Sequence, residues 1–253
     1  MGRAAYFTPS PEPTSGYTDA MRRRTSGVLS SDEFVSGKLR QAETLDPERI
    51  IRVLEPLVLD RRRERILEVI GARLGSVRVV FDAPHDPHNG AAIVRSCEAF
   101  GVQRLHVVER RERFLAAGSV ARGAEKWVDV LRHKEPEAAI AALAAEGFEL
   151  VAAHPDGELL AADLAGIPKL ALVVGNEREG IGEVLTDACR RRVRVPMRGF
   201  IESLNVSVTA AILLSAATTG RPGDLDPETR RRLYARGLYF SVKQADEVLD
   251  WSD

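Results

Sequence analysis

The stretch VRVPMRGFIESLNVSVTAAILL, at residues 193–214, decides the fold. Its first residues alternate apolar and arginine side chains and stop at Pro196, as a strand end does, and its last residues are small and apolar, which is typical of a buried helix. Between these parts lie Gly199, which lets another surface come close, and the short polar side chains of Ser203, Asn205 and Ser207. One interpretation is a strand end with an ordinary helix cap, because serine and asparagine are favoured caps; the other is a binding loop.

Two further segments also place polar residues beside a buried element. LALVVGNEREGIG, at 170–182, is a continuous apolar run of the kind found in parallel sheets, followed by a glycine-rich acidic turn. NGAAIVR, at 89–95, sets an asparagine and an arginine six residues apart at the opening of a predicted helix. Each segment alone is weak, because turn glycines and surface arginines are common. Their joint occurrence in this order is what carries the argument.

The residues around these segments alternate between strand and helix patterns. A β-branched run predicts a strand at 77–82, two prolines predict a loop at 83–89, and a helix over 90–100 leads to a strand at 105–108. Such a βαβ alternation predicts an α/β fold with a parallel sheet flanked by helices. The later elements are predicted as strands at 126–130, 148–152 and 170–174, and as helices at 138–146 and up to residue 189.

The chain divides into four predicted regions. Residues 1–30, rich in proline, serine and threonine, predict a flexible tail, residues 31–75 a helical extension, residues 76–219 the main domain, and residues 220–253 a linker with a C-terminal helical tail.

The helical extension is read from capping and periodicity. Helices are predicted at 32–41, from Pro47 onward behind Asp46, and at 60–74. The last of these is amphipathic, with an arginine face opposite an apolar side. The apolar side is formed by Ile66, Leu67, Val69 and Ile70.

The composition is that of a globular protein, with 44% hydrophobic and 29% charged residues. No apolar run has the length of a membrane span and no signal core is present, so we expect a cytoplasmic protein without membrane contact. Cys97 and Cys189 lack metal-ligand spacing, and neither a disulfide nor a metal site is predicted. The net charge is −1, yet arginines cluster in five places, which favours contact with RNA phosphates. The clusters lie at 22–24, 61–65, 110–113, 190–192 and 230–232.

With the three segments in this order, the chain resembles the SpoU/TrmH-type ribose 2'-O-methyltransferases of the SPOUT superfamily. The resemblance covers about residues 59–219. It implies methyl transfer from S-adenosylmethionine to a ribose 2'-hydroxyl of RNA, and a SPOUT-type sheet with a C-terminal trefoil knot. Knots are rare exceptions among folds, so composition alone does not predict one.

The resemblance also implies the site. Arg95 matches the catalytic arginine of the family's first motif, with Asn89 beside it and Glu177, Ser203 and Asn205 completing a polar wall. The other interpretation of Arg95 is a surface arginine, and His88 is an alternative proton acceptor. The residues implied for the methyl donor are Pro155, Gly175, Glu177, Val195 and Leu204. For Gly175 and Gly180 the alternative is a pair of ordinary turn glycines.

Within the family, the TrmH-type tRNA (guanosine-2'-O-)-methyltransferases are the nearest match, because the arginine-rich helix before the first strand also corresponds. They act on the D-loop guanosine at tRNA position eighteen and are homodimers in which the catalytic arginine reaches across the interface. The resemblance therefore implies a tRNA substrate, a homodimer and RNA contact by the arginine face. That face consists of Arg61, Arg62, Arg63 and Arg65. The chain departs from the pattern by residues 1–58 and by extra residues near 236–244, both expected where RNA is gripped.

Three alternatives stand beside this prediction. A ribosomal RNA or another tRNA nucleotide keeps the reaction and changes the substrate. A catalytically silent RNA-binding homologue keeps the fold, although the joint presence of the five polar site residues argues against it. A small-molecule methyltransferase on a doubly wound sheet calls for a glycine-rich turn after the first strand, and APHDP stands there instead.

Overall fold

A seven-stranded, wholly parallel sheet forms the centre of the molecule in the computed structural model, which describes residues 28–30, 42–109, 115–117 and 121–251. The strand order is β5-β3-β2-β8-β6-β9-β7. A separate antiparallel pair joins β1 (Val28–Ser30) to β4 (Leu115–Ala117). The sheet strands are β2 (Leu74–Asp82), β3 (Val102–Val108), β5 (Asp129–His133), β6 (Glu149–Ala153), β7 (Leu159–Leu160), β8 (Leu170–Val174) and β9 (Arg191–Arg194).

Eight complete helices accompany these strands in the described residues, and residues 42–44 are helical as well. The complete helices are α1 (Pro47–Leu54), α2 (Asp60–Gly71), α3 (Pro87–Ala99), α4 (Pro136–Ala145), α5 (Glu183–Ala188), α6 (Val206–Thr218), α7 (Pro227–Ser241) and α8 (Ala245–Asp250). Short 3-10 turns lie at Glu55–Leu57, Ala124–Lys126 and Ala161–Gly166. The predicted α/β class with a parallel sheet flanked by helices is confirmed.

The two faces of the sheet are covered by different helices. Along β2, Val79 and Phe81 belong to one apolar cluster with residues of α3 and α6, whereas Val80 belongs to a second cluster with residues of α4 and α5. Successive side chains of a strand point to opposite faces, so a strand covered on both sides must be apolar at almost every position. This is why the run LALVV of β8 is buried throughout.

The helices before and after the sheet form a common layer at the amino-terminal ends of the strands. α1, α7 and α8 share one apolar cluster, and α2 packs against α7 in another. Arg236 of α7 is 2% exposed and donates from Nη2 to Asp129 Oδ1 (2.9 Å), at the first residue of β5. Burial alone would raise the pKa of Asp129, but Arg236 and Arg232 outweigh it and hold that pKa below its usual value.

Several local predictions need correction. The predicted loop at 83–89 ends early, because α3 begins at Pro87. Proline is favoured at the first helical position, where its missing N–H is not needed, and Asp86 caps the helix by accepting from His88 N (2.8 Å). The strand predicted at 126–130 is a 3-10 turn followed by β5. Leu67, placed on the apolar side of α2, is 53% exposed.

The terminal segments also differ from expectation. Residues 28–30, counted with the flexible tail, form β1. The predicted linker after residue 219 is fixed to the sheet, since Asp224 accepts from the backbone N–H groups of Gly75 and Ser76. Among the extra residues near 236–244, Arg236, Leu238 and Tyr239 are buried in the helical layer. The predicted helix at 32–41 and the arginines at 22–24 and 110–113 lie outside the described residues.

The cysteines are free thiols, with Cys97 buried and Cys189 half-buried, and burial raises the pKa of each thiol to about 12. Over the described ranges no helix is both long and apolar enough to cross a membrane. In the same residues no group of three or more His, Cys, Asp or Glu side chains is arranged to hold a metal ion.

Two histidines stack inside the sheet. The rings of His106 on β3 and His133 on β5 are 5.2 Å apart and nearly parallel, with His106 Nδ1 3.0 Å from His133 Nε2. Burial, followed by the charges of His133, Arg78 and Arg104, lowers the pKa of His106 to about 3. The two rings therefore pack as neutral imidazoles, and protonation of His106 to the imidazolium form is unfavourable.

We expect the free energy of unfolding to decrease as the pH falls below about 6.5. The unfolded chain binds a proton at His106 there, whereas the folded chain keeps this ring neutral until about pH 3. Urea denaturation at pH 7.5 and pH 5.0 should show a loss of about 2 kcal/mol attributable to this group. A His106→Gln variant should lose that part of the pH dependence, and His88→Gln, at an exposed histidine, should retain it. Equal pH dependence in wild type and His106→Gln would contradict the assignment.

Candidate functional site

A cleft of about 690 Å³ opens at the carboxyl-terminal ends of β6, β8 and β9. The lining includes Ala153 and Val174, which end β6 and β8, and Val193, the last residue but one of β9. The loops that follow these three strands form the walls of the cleft. Loops at the carboxyl ends of parallel strands are the usual place for a ligand in open α/β sheets. The volume lies within the range of roughly 300–1000 Å³ typical of small-molecule sites.

The first wall is the turn after β8. Asn176 and Gly180 pair through two backbone hydrogen bonds of 3.2 and 3.0 Å, and Asn176 Oδ1 accepts from the N–H groups of Arg178 (2.9 Å) and Glu179 (2.8 Å). Gly180 has φ +68°, which favours glycine. A Cβ on Gly175 would lie 2.1 Å from the carbonyl carbon of Gly180. Both glycines are therefore needed by the turn itself, and both line the cleft.

Asp82 attaches this turn to the sheet. Its carboxylate is fully buried at the end of β2 and its Oδ2 accepts from Gly182 N (2.7 Å). A buried carboxylate is stable only when it is hydrogen bonded or paired, so the contact fixes where the turn leaves the sheet.

The second wall is the turn after β6, which contains Pro155, one of the residues implied for the methyl donor. His154 N donates to Val193 O (2.9 Å), and Gly157 N donates to His154 O (3.0 Å). His154 Nδ1 accepts from Asp156 N (3.1 Å), which places the proton of a neutral ring on Nε2. A Cβ on Gly157 would lie 2.6 Å from the carbonyl carbon of Val193. This turn is therefore pressed against β9, with Pro155 in the cleft lining.

The third wall is the loop before α6, and it carries a hydrogen-bond relay. Asn205 caps α6, with its Oδ1 accepting from Ser207 N (2.8 Å) and Ser207 Oγ (2.6 Å). Its Nδ2 donates to Asn89 Oδ1 (3.0 Å), on the first turn of α3. Asn89 Nδ2 in turn donates to Glu177 Oε1 in the turn after β8. The relay thus joins residues that are up to 116 positions apart in the chain.

The relay has one direction. Since the cap occupies Oδ1 of Asn205, its amide N–H must face Asn89, whose own N–H must then face Glu177. The chain of donors ends on a carboxylate, which accepts when it is ionised. The cap interpretation of Asn205 is therefore confirmed, and capping the helix also sets the orientation of the amide that contacts Asn89.

The predicted donor-site residues come together in this cleft. Its lining includes Pro155, Gly175, Glu177, Val195 and Leu204, together with Ser203 and Asn205. Carboxylates outnumber cations in the lining, where Glu177, Glu179 and Glu202 face Arg192. This balance favours a ligand that carries positive charge.

Arg95 lies apart from the cleft of its own chain. It is exposed on α3, is not among the cleft residues, and follows Asn89 by six positions. At 3.6 residues per turn, six positions place the two side chains about 120° apart around the helix. Asn89 is 7% exposed and points inward, so it does not orient Arg95 within one subunit.

The predicted RNA face also lies elsewhere, on α2 in the helical layer. Arg61, Arg62 and Arg65 are exposed, whereas Arg63 is half-buried and pairs with Asp60. Arg65 pairs with Glu68 (2.7 Å) and Arg62 Nε donates to Ser241 Oγ (3.1 Å). His88 is exposed, with its ring 3.1 Å from Asp86.

Sequence reasoning missed three site residues. His154 precedes a proline at a strand end and Asp82 ends a strand, and neither position has a spacing that marks it. Asn176 did carry a signal, since an asparagine after a glycine is favoured in turns, where its side chain bonds the backbone two residues on.

Fold and cleft together define an α/β protein whose ligand site lies at the carboxyl edge of a parallel sheet. Residues 76–215, more than half of the chain, match the model of the SpoU rRNA methylase family. The chain belongs to that family, and the resemblance stated from the three motifs is confirmed.

Individual relatives agree with this assignment. A tRNA (guanosine(18)-2'-O)-methyltransferase of Aquifex aeolicus (strain VF5) is 33% identical over 200 residues, which cover 78% of this chain and 89% of the relative. The crystal structure of the A. aeolicus TrmH/SpoU tRNA modifying enzyme matches with a TM-score of 0.63 and 27% identity, over 73% of this chain and 98% of that one. The SpoU methyltransferase AviRb from Streptomyces viridochromogenes, solved in complex with the cofactor AdoMet, matches with a TM-score of 0.52 and 26% identity, over 60% and 63% of the two chains.

Proposed function

We propose that this chain is an S-adenosylmethionine-dependent RNA ribose 2'-O-methyltransferase whose substrate is the D-loop guanosine at tRNA position eighteen. The observation that carries the proposal is the relay Asn205–Asn89–Glu177 at the edge of the cleft, since it brings polar residues from all three motifs into contact. The substrate rests on the name of the Aquifex relative, which is aligned over most of both chains.

The cleft suits the methyl donor. Its apolar lining at Val174, Val195 and Leu204 fits an adenine ring, and backbone groups of the turns at 154–157 and 175–180 are at hand to bond ring nitrogens. The acidic lining suits the positive sulfonium and ammonium groups. When bound there, S-adenosylmethionine supplies an electrophilic methyl group.

The chain's own residues would align and activate the ribose hydroxyl. A guanidinium stays protonated at accessible pH, so Arg95 would orient the hydroxyl and stabilise the developing alkoxide without acting as a base. Glu177, held by Asn89, and Ser203 would position the ribose so that the hydroxyl oxygen is in line with the methyl carbon and sulfur. The C–S bond breaks as the O–C bond forms, and the hydroxyl proton leaves to solvent or a nearby carboxylate.

A C-terminal trefoil knot belongs to the proposal. The strand order supports it, because β8 lies between β2 and β6 while β9 lies on the far side of β6. The chain between β8 and β9 must therefore cross β6, and it includes α5. An experimental chain trace through residues 150–215 tests the knot.

A homodimer is proposed for the same reaction. Val208 and Ile212 are 45% and 38% exposed, one turn apart on α6, and Phe200 and Ile201 are exposed in the loop before it. These side chains offer an apolar surface beside the cleft for a second copy of the chain. A second copy would also bring an Arg95 side chain to a methyl-donor cleft whose own Arg95 does not line it.

Arg95→Ala is expected to abolish methyl transfer and to leave S-adenosylmethionine binding unchanged, because the arginine does not line the cleft of its own chain. Mixing Arg95→Ala with Asn205→Asp then distinguishes the two arrangements. If Arg95 acts across the interface, mixed dimers contain one site with both an intact relay and an intact arginine, and activity returns. If it acts within its own chain, every site in the mixture is defective and the mixture stays inactive. Light scattering of the same samples checks that dimers form.

The function is tested by transfer of labelled methyl groups from S-adenosylmethionine to unmodified tRNA and, separately, to ribosomal RNA. We expect label in tRNA, recovered as 2'-O-methylguanosine after digestion, and none in a transcript with 2'-deoxyguanosine at position eighteen. Label in ribosomal RNA alone would keep the reaction and replace the substrate. Donor binding without transfer to either RNA would favour the silent RNA-binding homologue.

A further inference from the structure

A second cleft, of about 170 Å³, lies at the opposite edge of the sheet from the proposed methyl-donor site. It is formed where α2 meets the end of α3, the residues before β5, and α7. Its lining includes Arg62, Arg65, Ile66, Arg73, Trp127 and Leu233. The proposed reaction uses none of its aromatic or apolar residues.

The cleft combines a flat ring with an apolar floor. Ile66 and Leu233 are 4% and 1% exposed, so the floor is part of the packed helical layer. Trp127 is half-buried and holds an edge-to-face contact with Phe240, with ring centroids 6.4 Å apart and an interplanar angle of 61°. An indole fixed in this way offers a surface on which another flat ring can stack.

Three arginines line the cleft near the Trp127 ring. Arg62 and Arg65 are exposed at the mouth, and Glu98 is the carboxylate in the lining. Arg73 is 2% exposed; its Nε donates to Gln103 Oε1 (2.5 Å) and its Nη2 to the carbonyl of Trp127 (3.2 Å). Its Nη1 has no hydrogen-bond partner in the described part of the chain. Arg73 thus adds a buried positive charge to the wall of the cleft.

We propose that this cleft holds one unpaired nucleotide of the RNA substrate, with its base against Trp127 and its phosphate at Arg62 and Arg65. Bases stack on aromatic side chains while arginines hold the adjacent backbone in most single-stranded nucleic-acid sites. The inference rests on the proposed function, because it takes RNA as the substrate. It goes beyond that function in assigning a second contact, at a nucleotide that is not the methylated one.

The distance between the two clefts can be obtained from the length of β2, which has one cleft near each end. Its nine residues run from Leu74, next to Arg73, to Asp82, which holds the turn of the methyl-donor cleft. At about 3.3 Å per residue the clefts are separated by roughly 26 Å along the sheet. One nucleotide does not reach both, so an RNA that occupies both must be folded or must bend between them.

The test uses the intrinsic fluorescence of the protein. The chain has two tryptophans, and Trp251→Phe, at a 91% exposed position, leaves Trp127 as the single tryptophan, whose emission is excited selectively over that of the tyrosines. Titration of this variant with unfractionated tRNA should quench the emission in a saturable manner. Inorganic polyphosphate at the same phosphate concentration should leave the emission unchanged, because it has no base to stack.

Variants separate stacking from charge. Arg62→Ala and Arg65→Ala should each weaken tRNA binding by about 5- to 10-fold, and Arg52→Ala, an exposed arginine on α1, should not. Trp127→Leu should weaken tRNA binding by about 10-fold and leave S-adenosylmethionine binding unchanged.

Two outcomes overturn the inference alone: tRNA that is bound and methylated with unchanged Trp127 emission, or equal quenching by polyphosphate. Failure of the proposed function itself has a different signature, namely no binding and no methylation of any RNA, and it would remove this inference as well.

Discussion

An Asn205→Asp variant is expected to stay folded and to lose methyl transfer by about 100-fold. Aspartate keeps the cap of α6, since a carboxylate oxygen accepts from Ser207 N and Oγ as the amide oxygen does. Its second oxygen, however, faces Asn89 Oδ1, and two acceptors repel. If Asn89 turns its amide to compensate, its oxygen faces the carboxylate of Glu177 instead. The relay is then interrupted at one joint or the other, and the lost hydrogen bond should lower the melting temperature by only about 2–4 °C.

The pH profile of this variant distinguishes the relay from a loss of structure. At low pH the introduced carboxylate becomes protonated and regains a hydrogen that can be donated to Asn89, so turnover relative to wild type should rise as the pH falls. Asn205→Ala is the matched control, because it removes both the cap and the relay and has no acid to protonate. It should lose activity at every pH and also about 1 kcal/mol of stability. Wild-type turnover in Asn205→Asp would refute the relay.

Gly175→Ala is expected to abolish S-adenosylmethionine binding and to lower stability by about 3 kcal/mol. The added Cβ would lie 2.1 Å from the carbonyl carbon of Gly180, 2.2 Å from its oxygen and 2.3 Å from Ile181 N. All three are backbone atoms, which cannot move aside as a side-chain end can. The turn would have to open, and the two hydrogen bonds between Asn176 and Gly180 would be lost with it. Calorimetric donor titration and chemical denaturation measure the two effects.

Alanine substitutions at two other glycines serve as controls for Gly175→Ala. Gly180→Ala meets no atom within 4 Å but has φ +68°, so it should cost only about 1 kcal/mol of backbone strain. Gly166→Ala meets nothing within 4 Å and has no unusual backbone angle, so stability and donor binding should be close to wild type. Similar losses in all three variants would mean that the close approach at Gly175 is not the cause.

The sheet and most of its helices could be predicted because the local spacing of apolar residues shows which side of each element is buried. The run at 170–174 is apolar throughout, as a strand covered on both faces must be, and the predicted range coincides with β8. The start of α3 was missed because two prolines in seven residues look like a loop, although proline at the first helical position is favourable. From sequence alone, a proline is more easily interpreted as the end of a helix than as its first residue.

The site was partly predictable, for a different reason. Asn205 and Glu177 lie in segments whose polar residues stand out against buried surroundings, and the family resemblance supplied their roles. Asn89 contacts both of them, and the direction of these hydrogen bonds is set by partners that are 88 and 116 positions away in the sequence. A local sequence pattern does not contain such contacts. The same applies to Gly157, where the need for glycine comes from β9 and not from its own turn. The roles of the site residues and of the α2 arginines stay predictions.

The attachment of the helical layer to the amino ends of the strands has a consequence for how such enzymes diversify. Asp224, Arg73 and Arg236 fasten the layer to β2, β3 and β5 through side chains, while β6, β8 and β9 shape the chemical site. The sheet thereby holds the proposed methyl-donor cleft and the proposed RNA-contacting layer at a fixed distance from each other. Different helices attached to the sheet by the same contacts would change which RNA fits and would leave the proposed methyl-transfer reaction unaltered.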